Sequence, residues 1–124
     1  MADFMKLDDD FESFIKKYIN TFVKWELVQF FHNNETKFYS VNELAQKLNR
    51  SSKTLKSEVV ELEEKGLLKE SEEQELSFQL IQDDTNDKKA LLALMKCFVE
   101  FCETREGRLR VIYKILKDGK PINN

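Results

Sequence analysis

Few side chains in this sequence have the types and spacing that catalysis or metal binding requires. His32 is the one histidine, and no second His or Cys lies near it in sequence to complete a metal site. Cys97 and Cys102 are five residues apart in an apolar helical stretch, so they point in different directions and suggest neither a disulfide framework nor a CxxC site. The chain also lacks a glycine-rich phosphate loop and a GxSxG motif. We therefore expect no enzyme, no cofactor and no metal site, and we interpret both thiols as core or interface residues.

The overall composition is that of one globular domain spanning residues 1–124. Hydrophobic residues make up 41% of the chain and charged residues 35%, and only three Gly and one Pro interrupt it, which favours long helices. The N-terminal sequence MADFMKLDDD lacks the basic start and apolar run of a signal peptide. No stretch approaches the roughly 20 apolar residues that span a bilayer. We expect a cytoplasmic protein without a membrane segment.

An N-terminal helical region is predicted over residues 8–33. The three aspartates at its start, Asp8 to Asp10, favour a helix N-terminus, and a short break is expected near Asn20-Thr21. The polar residues from His32 to Asn34 should end the region. Its apolar residues recur at helical spacing and form one broad stripe: Phe11, Phe14, Ile15, Tyr18, Ile19, Phe22 and Val23.

Two short helices are predicted next, from their capping residues. Ser40-Val41-Asn42-Glu43 matches a capping box, so a helix should start there. Asn49 can close this helix in the left-handed conformation. Ser51 or Ser52 can cap a second helix, which Gly66 should stop. Two helices joined by about three residues form a helix-turn-helix unit.

The rest of the region 37–82 is predicted to form short strands. Lys37-Phe38-Tyr39 could be one, and Leu67-Leu68-Lys69 begins a hairpin whose tip lies around residues 71–74. The returning strand shows a period of two, which predicts burial on one face only. Its apolar positions are Leu76, Phe78 and Leu80, and its polar positions are Glu75, Ser77 and Gln79.

The segment from Ser40 to Glu70 resembles the core of bacterial winged helix-turn-helix transcriptional regulators of the MarR, ArsR and PadR kind. Its sequence is SVNELAQKLNRSSKTLKSEVVELEEKGLLKE. The most specific part is Leu62-Glu63-Glu64-Lys65-Gly66-Leu67-Leu68, which in that superfamily ends the recognition helix and enters the wing. Glu43-Leu44-Ala45 matches the start of the scaffold helix. The resemblance implies a mainly α fold with a small β-hairpin wing, flanked by N- and C-terminal helices.

In such regulators the recognition helix lies in the DNA major groove, and the wing reaches the neighbouring minor groove or backbone. The resemblance implies that Lys53 and Lys56 bind phosphate and that Arg50 contacts the backbone from the turn. The hydroxyls of Ser52, Thr54 and Ser57 would approach base edges. The alternative is that these residues are only the solvated face of an amphipathic helix. From Arg50 to Lys56 the segment carries three cations and no acid, which suits double-stranded DNA.

Charge elsewhere in the region opposes DNA binding. Residues 41–82 hold six cations and nine acids, and the balance is 6 − 9 = −3, whereas affinity for DNA comes largely from cations. The predicted wing tip, residues 70–75, has four carboxylates and no cation. Glu58 and Glu61 also occupy recognition-helix positions where the family often has apolar or basic residues. A second hypothesis is therefore a winged-helix protein-protein interaction module whose acidic wing meets a basic partner.

The region 86–118 is predicted to form C-terminal helices, with Gly107 breaking or weakening the first of them. That first helix is apolar on nearly all sides, and a winged-helix core covers one face only. We therefore expect a two-fold homodimer, which Phe11, Phe14 and Tyr18 of the N-terminal stripe can extend. The alternative is that the N- and C-terminal helices pack only on each other within one chain. The predicted interface consists of Leu91, Leu94, Met95, Phe98, Phe101 and Cys102.

Positive charge collects at the end of the chain. Residues 105–120 hold six cations and two acids, and the balance is 6 − 2 = +4. This segment could meet DNA or an acidic partner. Because its Arg and Lys alternate with apolar residues that can pack, a solvated face of the last helix is the favoured interpretation.

Overall fold

The computed structural model describes residues 2–119, with side chains described from Asp9 onward. This part of the chain is mainly helical and contains a small three-stranded antiparallel sheet. Within it, every helix is too short or too polar to cross a membrane. The elements are α1 Ala2–Tyr18, α2 Phe22–Asn33, β1 Tyr39–Ser40, α3 Val41–Leu48, α4 Ser52–Glu64, β2 Leu68–Glu70, β3 Ser77–Leu80, α5 Asn86–Phe101 and α6 Arg105–Asp118.

The predicted N-terminal helical region is two helices, and the break falls where it was expected. The Thr21 side chain caps α2 by accepting a hydrogen bond from the backbone N–H of Lys24 at 3.1 Å. The start differs, because α1 begins at Ala2 and carries Asp8 to Asp10 in its interior. These aspartates therefore do not lie at the positive end of the helix dipole.

Capping interactions fix α3 and α4 as the sequence predicts. Ser40 and Glu43 exchange both hydrogen bonds of a capping box, each at 3.1 Å. Asn49 ends α3 with φ 54°, in the left-handed region. Of the two candidate serines, Ser51 caps α4 by accepting from the N–H of Thr54 at 3.2 Å. Gly66 follows α4 with φ 86°, a conformation that side chains strain to adopt.

The sheet has the order β1–β3–β2, so β3 is its central strand. Tyr39 lies opposite Phe78, and Leu68 lies opposite Leu80. The predicted half-buried pattern of β3 is wrong, since all four of its residues are buried. The polar face is covered as well, and the Gln79 amide donates to the carbonyl oxygen of Thr36 at 2.8 Å.

The structure contains the two predicted C-terminal helices, but the break between them does not lie at Gly107. α5 ends at Phe101, and Thr104 caps α6 by accepting from the Gly107 N–H at 2.9 Å, so Gly107 lies in the first turn of α6. A Cβ at Gly107 would lie 2.0 Å from the Phe101 carbonyl oxygen. The glycine therefore allows α6 to approach the end of α5 closely.

The terminal helices pack on each other within the chain. α1 contacts both α5 and α6, and an aromatic cluster fills the α1–α5 contact. The ring centroids of Phe11 and Phe98 are 5.5 Å apart, and those of Phe14 and Phe98 are 5.0 Å apart. α2 contacts α4 and α5, which joins this helical layer to the α3–α4 pair.

Candidate functional site

The front of α4 carries five of the predicted DNA-contacting residues on one exposed surface: Ser52, Lys53, Thr54, Lys56 and Ser57. The first turn of α4 contains no acidic residue, so the positive end of the helix dipole is not neutralised there. The Ser52 hydroxyl donates to the Asn42 side-chain oxygen at 3.2 Å, which links this surface to α3. We call these five residues the α4 front. Its ammonium groups, hydroxyls and helix amides can bind an anion such as phosphate.

Arg50, the sixth predicted residue, is held away from the α4 front by α2. Its guanidinium donates from Nε to Oε2 of Glu26 at 2.8 Å and from Nη2 to Oε1 at 3.0 Å. This bidentate pair raises the pKa of Arg50 above its ordinary value, through the hydrogen bond to Glu26. A phosphate that contacts Arg50 would therefore have to compete with Glu26.

A buried lysine pairs with two acids of α4, and the sequence analysis did not identify it. Lys24 is fully buried, and its Nζ lies 2.8 Å from Oε2 of Glu58 and 2.8 Å from the side-chain oxygen of Asn20. Nζ also contacts the carboxylate of Glu61. Two of the acids that weigh against DNA binding thus turn inward to α2, away from the α4 front.

Helical spacing carries a signal for this pair. Lys24 precedes Leu27, Val28 and Phe31 by three, four and seven residues, so it lies on the buried stripe of α2. Glu58 likewise lies within the buried stripe of α4, three residues after Leu55 and four residues before Leu62. A charged residue within an apolar stripe on each of two packed helices predicts that the two meet.

The tip of the β2–β3 hairpin keeps the acidic character that the sequence indicates. Glu72, Glu73 and Glu75 are exposed. The Glu70 carboxylate instead accepts the backbone N–H of Leu76 at 2.7 Å, which helps to hold Leu76 at φ 57°. The tip therefore presents carboxylates to solvent and would repel a nearby phosphate.

The predicted dimer residues on α5 divide into two groups. Met95, Phe98 and Cys102 are buried within the chain, where α1 and α6 cover α5, so they are not available to a partner. Leu91, Leu94 and Phe101 are partly buried against the same core. Burial also raises the pKa of the Cys102 thiol to about 11, against opposing effects of the Trp25 indole and of Arg108. Cys97 is exposed.

His32 lies at the end of α2, as the sequence indicates, and is partly buried. In residues 9–119, no three His, Cys, Asp or Glu side chains come together in a way that could hold a metal ion. The basic C-terminal segment lies mostly on α6, while Lys120 falls outside the described residues. Comparisons of the chain with protein-family models, with curated proteins and with solved structures found no match.

Proposed function

We propose that this chain is a winged helix-turn-helix protein that binds double-stranded DNA through the α4 front and regulates transcription. The observation that carries the proposal is an exposed helix front with two lysines, three hydroxyls and no acid. Hydroxyl and ammonium groups in this arrangement suit base edges and phosphates in a major groove.

The arrangement of elements supports the winged-helix part of the proposal. α3 and α4 are joined by three residues and are followed by the β2–β3 hairpin. This order of elements supports the helix-turn-helix with a following wing that the sequence resemblance implies. α4 then takes the place of the recognition helix, and the hairpin takes the place of the wing.

Electrostatics set the expected strength and geometry of binding. Glu58 and Glu61 are paired with Lys24, and Arg50 is paired with Glu26, so Lys53 and Lys56 supply the free positive charge of the α4 front. The acidic hairpin tip favours a pose in which the wing stays away from the backbone. Two phosphate contacts per copy give weak binding, and two copies at paired half-sites strengthen it.

A homodimer supplies the second copy in this proposal. The outer face of α5 carries Ala90, Leu94, Cys97 and Phe101 at spacings of four, three and four residues, the repeat of a helix-pairing seam. Ala90 and Cys97 are exposed and Leu94 is partly exposed, while Phe101 is partly exposed with its ring packed edge-on against Phe11 of α1. This face replaces the buried part of the interface predicted from sequence.

The test measures the fluorescence anisotropy of a labelled mixed-sequence duplex at low and at moderate salt. We expect the logarithm of the binding constant to fall linearly with the logarithm of the salt concentration. The slope should be roughly −2 per copy, because each copy makes two phosphate contacts. The variant Lys53→Glu plus Lys56→Glu should lose at least about tenfold in affinity. The matched control is Lys89→Glu plus Lys96→Glu, which makes the same charge change at exposed positions of α5. Equal losses in the two variants, or no binding at low salt, would refute the proposal.

The acidic hairpin tip favours a second candidate function, a protein-protein interaction module without DNA binding. Glu72, Glu73 and Glu75 are exposed and could meet a basic partner. This candidate predicts that a lysine-rich peptide binds the chain and that Glu72→Gln, Glu73→Gln and Glu75→Gln together abolish the binding. DNA would then bind neither the original chain nor this variant.

A further inference from the structure

α6 is apolar on two opposite faces. Val111 and Ile115 face the core and are buried. On the other side Leu109, Tyr113 and Leu116 are 53%, 63% and 73% exposed. With the partly exposed Ile112, these residues follow the helical spacing i, i+3, i+4 and i+7, and we call them the α6 ridge. A surface helix ordinarily places polar residues on this side, and a contiguous apolar patch marks an interaction site.

A groove runs between the α6 ridge and α1. Its volume is about 660 Å³, within the range of clefts that bind ligands. Phe11 and Ile15, which belong to the core, line it from α1, and Leu109 and Tyr113 line it from α6. A bulky apolar side chain from outside could therefore be inserted between two helices rather than lie on a flat face.

The groove is rimmed by positive charge. Its lining includes four cations, Arg105, Arg110, Lys114 and Lys117, and two acids, Glu12 and Glu106, for a balance of 4 − 2 = +2. Glu12 lies 3.5 Å from Arg110 and 4.0 Å from Lys114, and Asp118 lies 3.0 Å from Lys114. The cations at the two ends of α6, Arg105 and Lys117, are both exposed and border the ridge.

We propose that the α6 ridge and its groove dock an acidic amphipathic helix of a partner protein. Leucine-like side chains of such a helix would enter the groove, and its flanking carboxylates would meet Arg105 and Lys117. A second copy fits less well, because two α6 ridges packed face to face would bring their basic rims together. An anionic bilayer also fits less well, since the site is concave and Glu12 and Glu106 line it.

This inference does not depend on DNA binding, because α6 packs on α1 and α5 whereas α4 packs on α2, α3 and β2. The probe is a pair of labelled synthetic helical peptides of roughly five turns. Both carry Leu at i, i+3, i+4 and i+7, and the flanking positions are Glu in one peptide and Lys in the other. We expect the Glu peptide to bind with a micromolar Kd and the Lys peptide to bind at least about tenfold more weakly.

Variants at exposed positions then locate the binding site. Leu109→Ser plus Leu116→Ser should weaken binding of the Glu peptide at least about tenfold, and Arg105→Glu plus Lys117→Glu should do the same. The charge control is again Lys89→Glu plus Lys96→Glu, and circular dichroism verifies that each variant stays folded. DNA affinity should be unchanged by the two leucine substitutions, which separates a failure of this inference from a failure of the proposed function.

Four results would overturn the inference. The first is that neither peptide binds, and the second is that both bind equally. The third is a sedimentation change from dimer to monomer in Leu109→Ser plus Leu116→Ser, which would assign the α6 ridge to a second copy. The fourth is co-sedimentation of the chain with phosphatidylglycerol vesicles that the same variant abolishes, which would assign the ridge to a membrane surface.

Discussion

Replacing Lys24 by methionine tests whether the buried ion pair between α2 and α4 is structurally essential. Methionine keeps the length and most of the volume of the lysine side chain but removes its charge. Glu58, which is buried, would then lose its cation 2.8 Å away, and Asn20 would lose its donor. Glu61 would lose its contact with Lys24 too, but its side chain is 30% exposed and can turn to water.

The expected loss of stability follows from these exposures. Removing one partner of a buried pair costs about 3–5 kcal/mol, because a charge stays buried without compensation. Since Glu61 is partly solvated, we take the lower end, about 3 kcal/mol. This is a large part of the 5–15 kcal/mol that holds an ordinary domain together. For a chain of this length it corresponds to a fall in Tm of roughly 10 °C.

The assay is urea unfolding of the unmodified chain, of Lys24→Met and of Lys24→Met plus Glu58→Met, followed by circular dichroism. The double variant should recover most of the lost stability, because an apolar pair replaces the stranded carboxylate. Lys16→Met is the matched control at an exposed position and should change stability by less than about 0.5 kcal/mol. The reasoning fails if Lys24→Met is as stable as the control, or if the double variant is no more stable than the single one.

Three further predictions concern the C-terminal helices. Gly107→Ala should lower the free energy of unfolding by about 3 kcal/mol in urea, because the new Cβ would lie 2.0 Å from the Phe101 carbonyl oxygen. At an unobstructed helix site the same substitution would instead raise stability. In the folded chain a thiol reagent at pH 8 should leave Cys102 unmodified and should modify Cys97 in the monomer but not in the proposed dimer, whereas both thiols should react in denaturant; modification of Cys102 in the folded chain would contradict its burial. Burial raises the pKa of the Cys102 thiol from 9.0 to about 11. The contribution of this buried thiol to the free energy of unfolding is therefore present below pH 9 and is lost as the pH rises toward 11. Urea unfolding at several pH values measures this loss.

Local signals predicted the helix boundaries well where short-range hydrogen bonds set them. The capping box at Ser40, the left-handed Asn49 and the stop at Gly66 each depend on residues within one turn, so the sequence alone determines them. Gly107 instead allows α6 to approach the Phe101 carbonyl oxygen, at the end of α5. A glycine that allows such an approach cannot be distinguished in sequence from one that ends a helix, so the sequence predicts a break at Gly107.

The candidate site was harder to predict because charge depends on pairing between distant residues. A sum over residues 41–82 counts Glu58 and Glu61 as acids of the surface, yet their partner Lys24 lies outside that window. The same sum counts Arg50 as a free cation, although Glu26 occupies it. The buried side of α5 was also hard to predict from sequence. It depends on where α1 packs, and the periodicity of the apolar residues does not determine the position of α1.

The contact between α1 and the last two helices has a consequence for synthesis of the chain. Phe14 packs on Phe98, and 98 − 14 = 84 residues separate them. At roughly 5–20 residues per second, a ribosome adds those residues in roughly 4–17 seconds. Throughout that time the aromatic face of α1 has been made but its native partner has not. Until α5 has emerged, chaperones or transient contacts with α2 must therefore cover this face to prevent aggregation of the nascent chain.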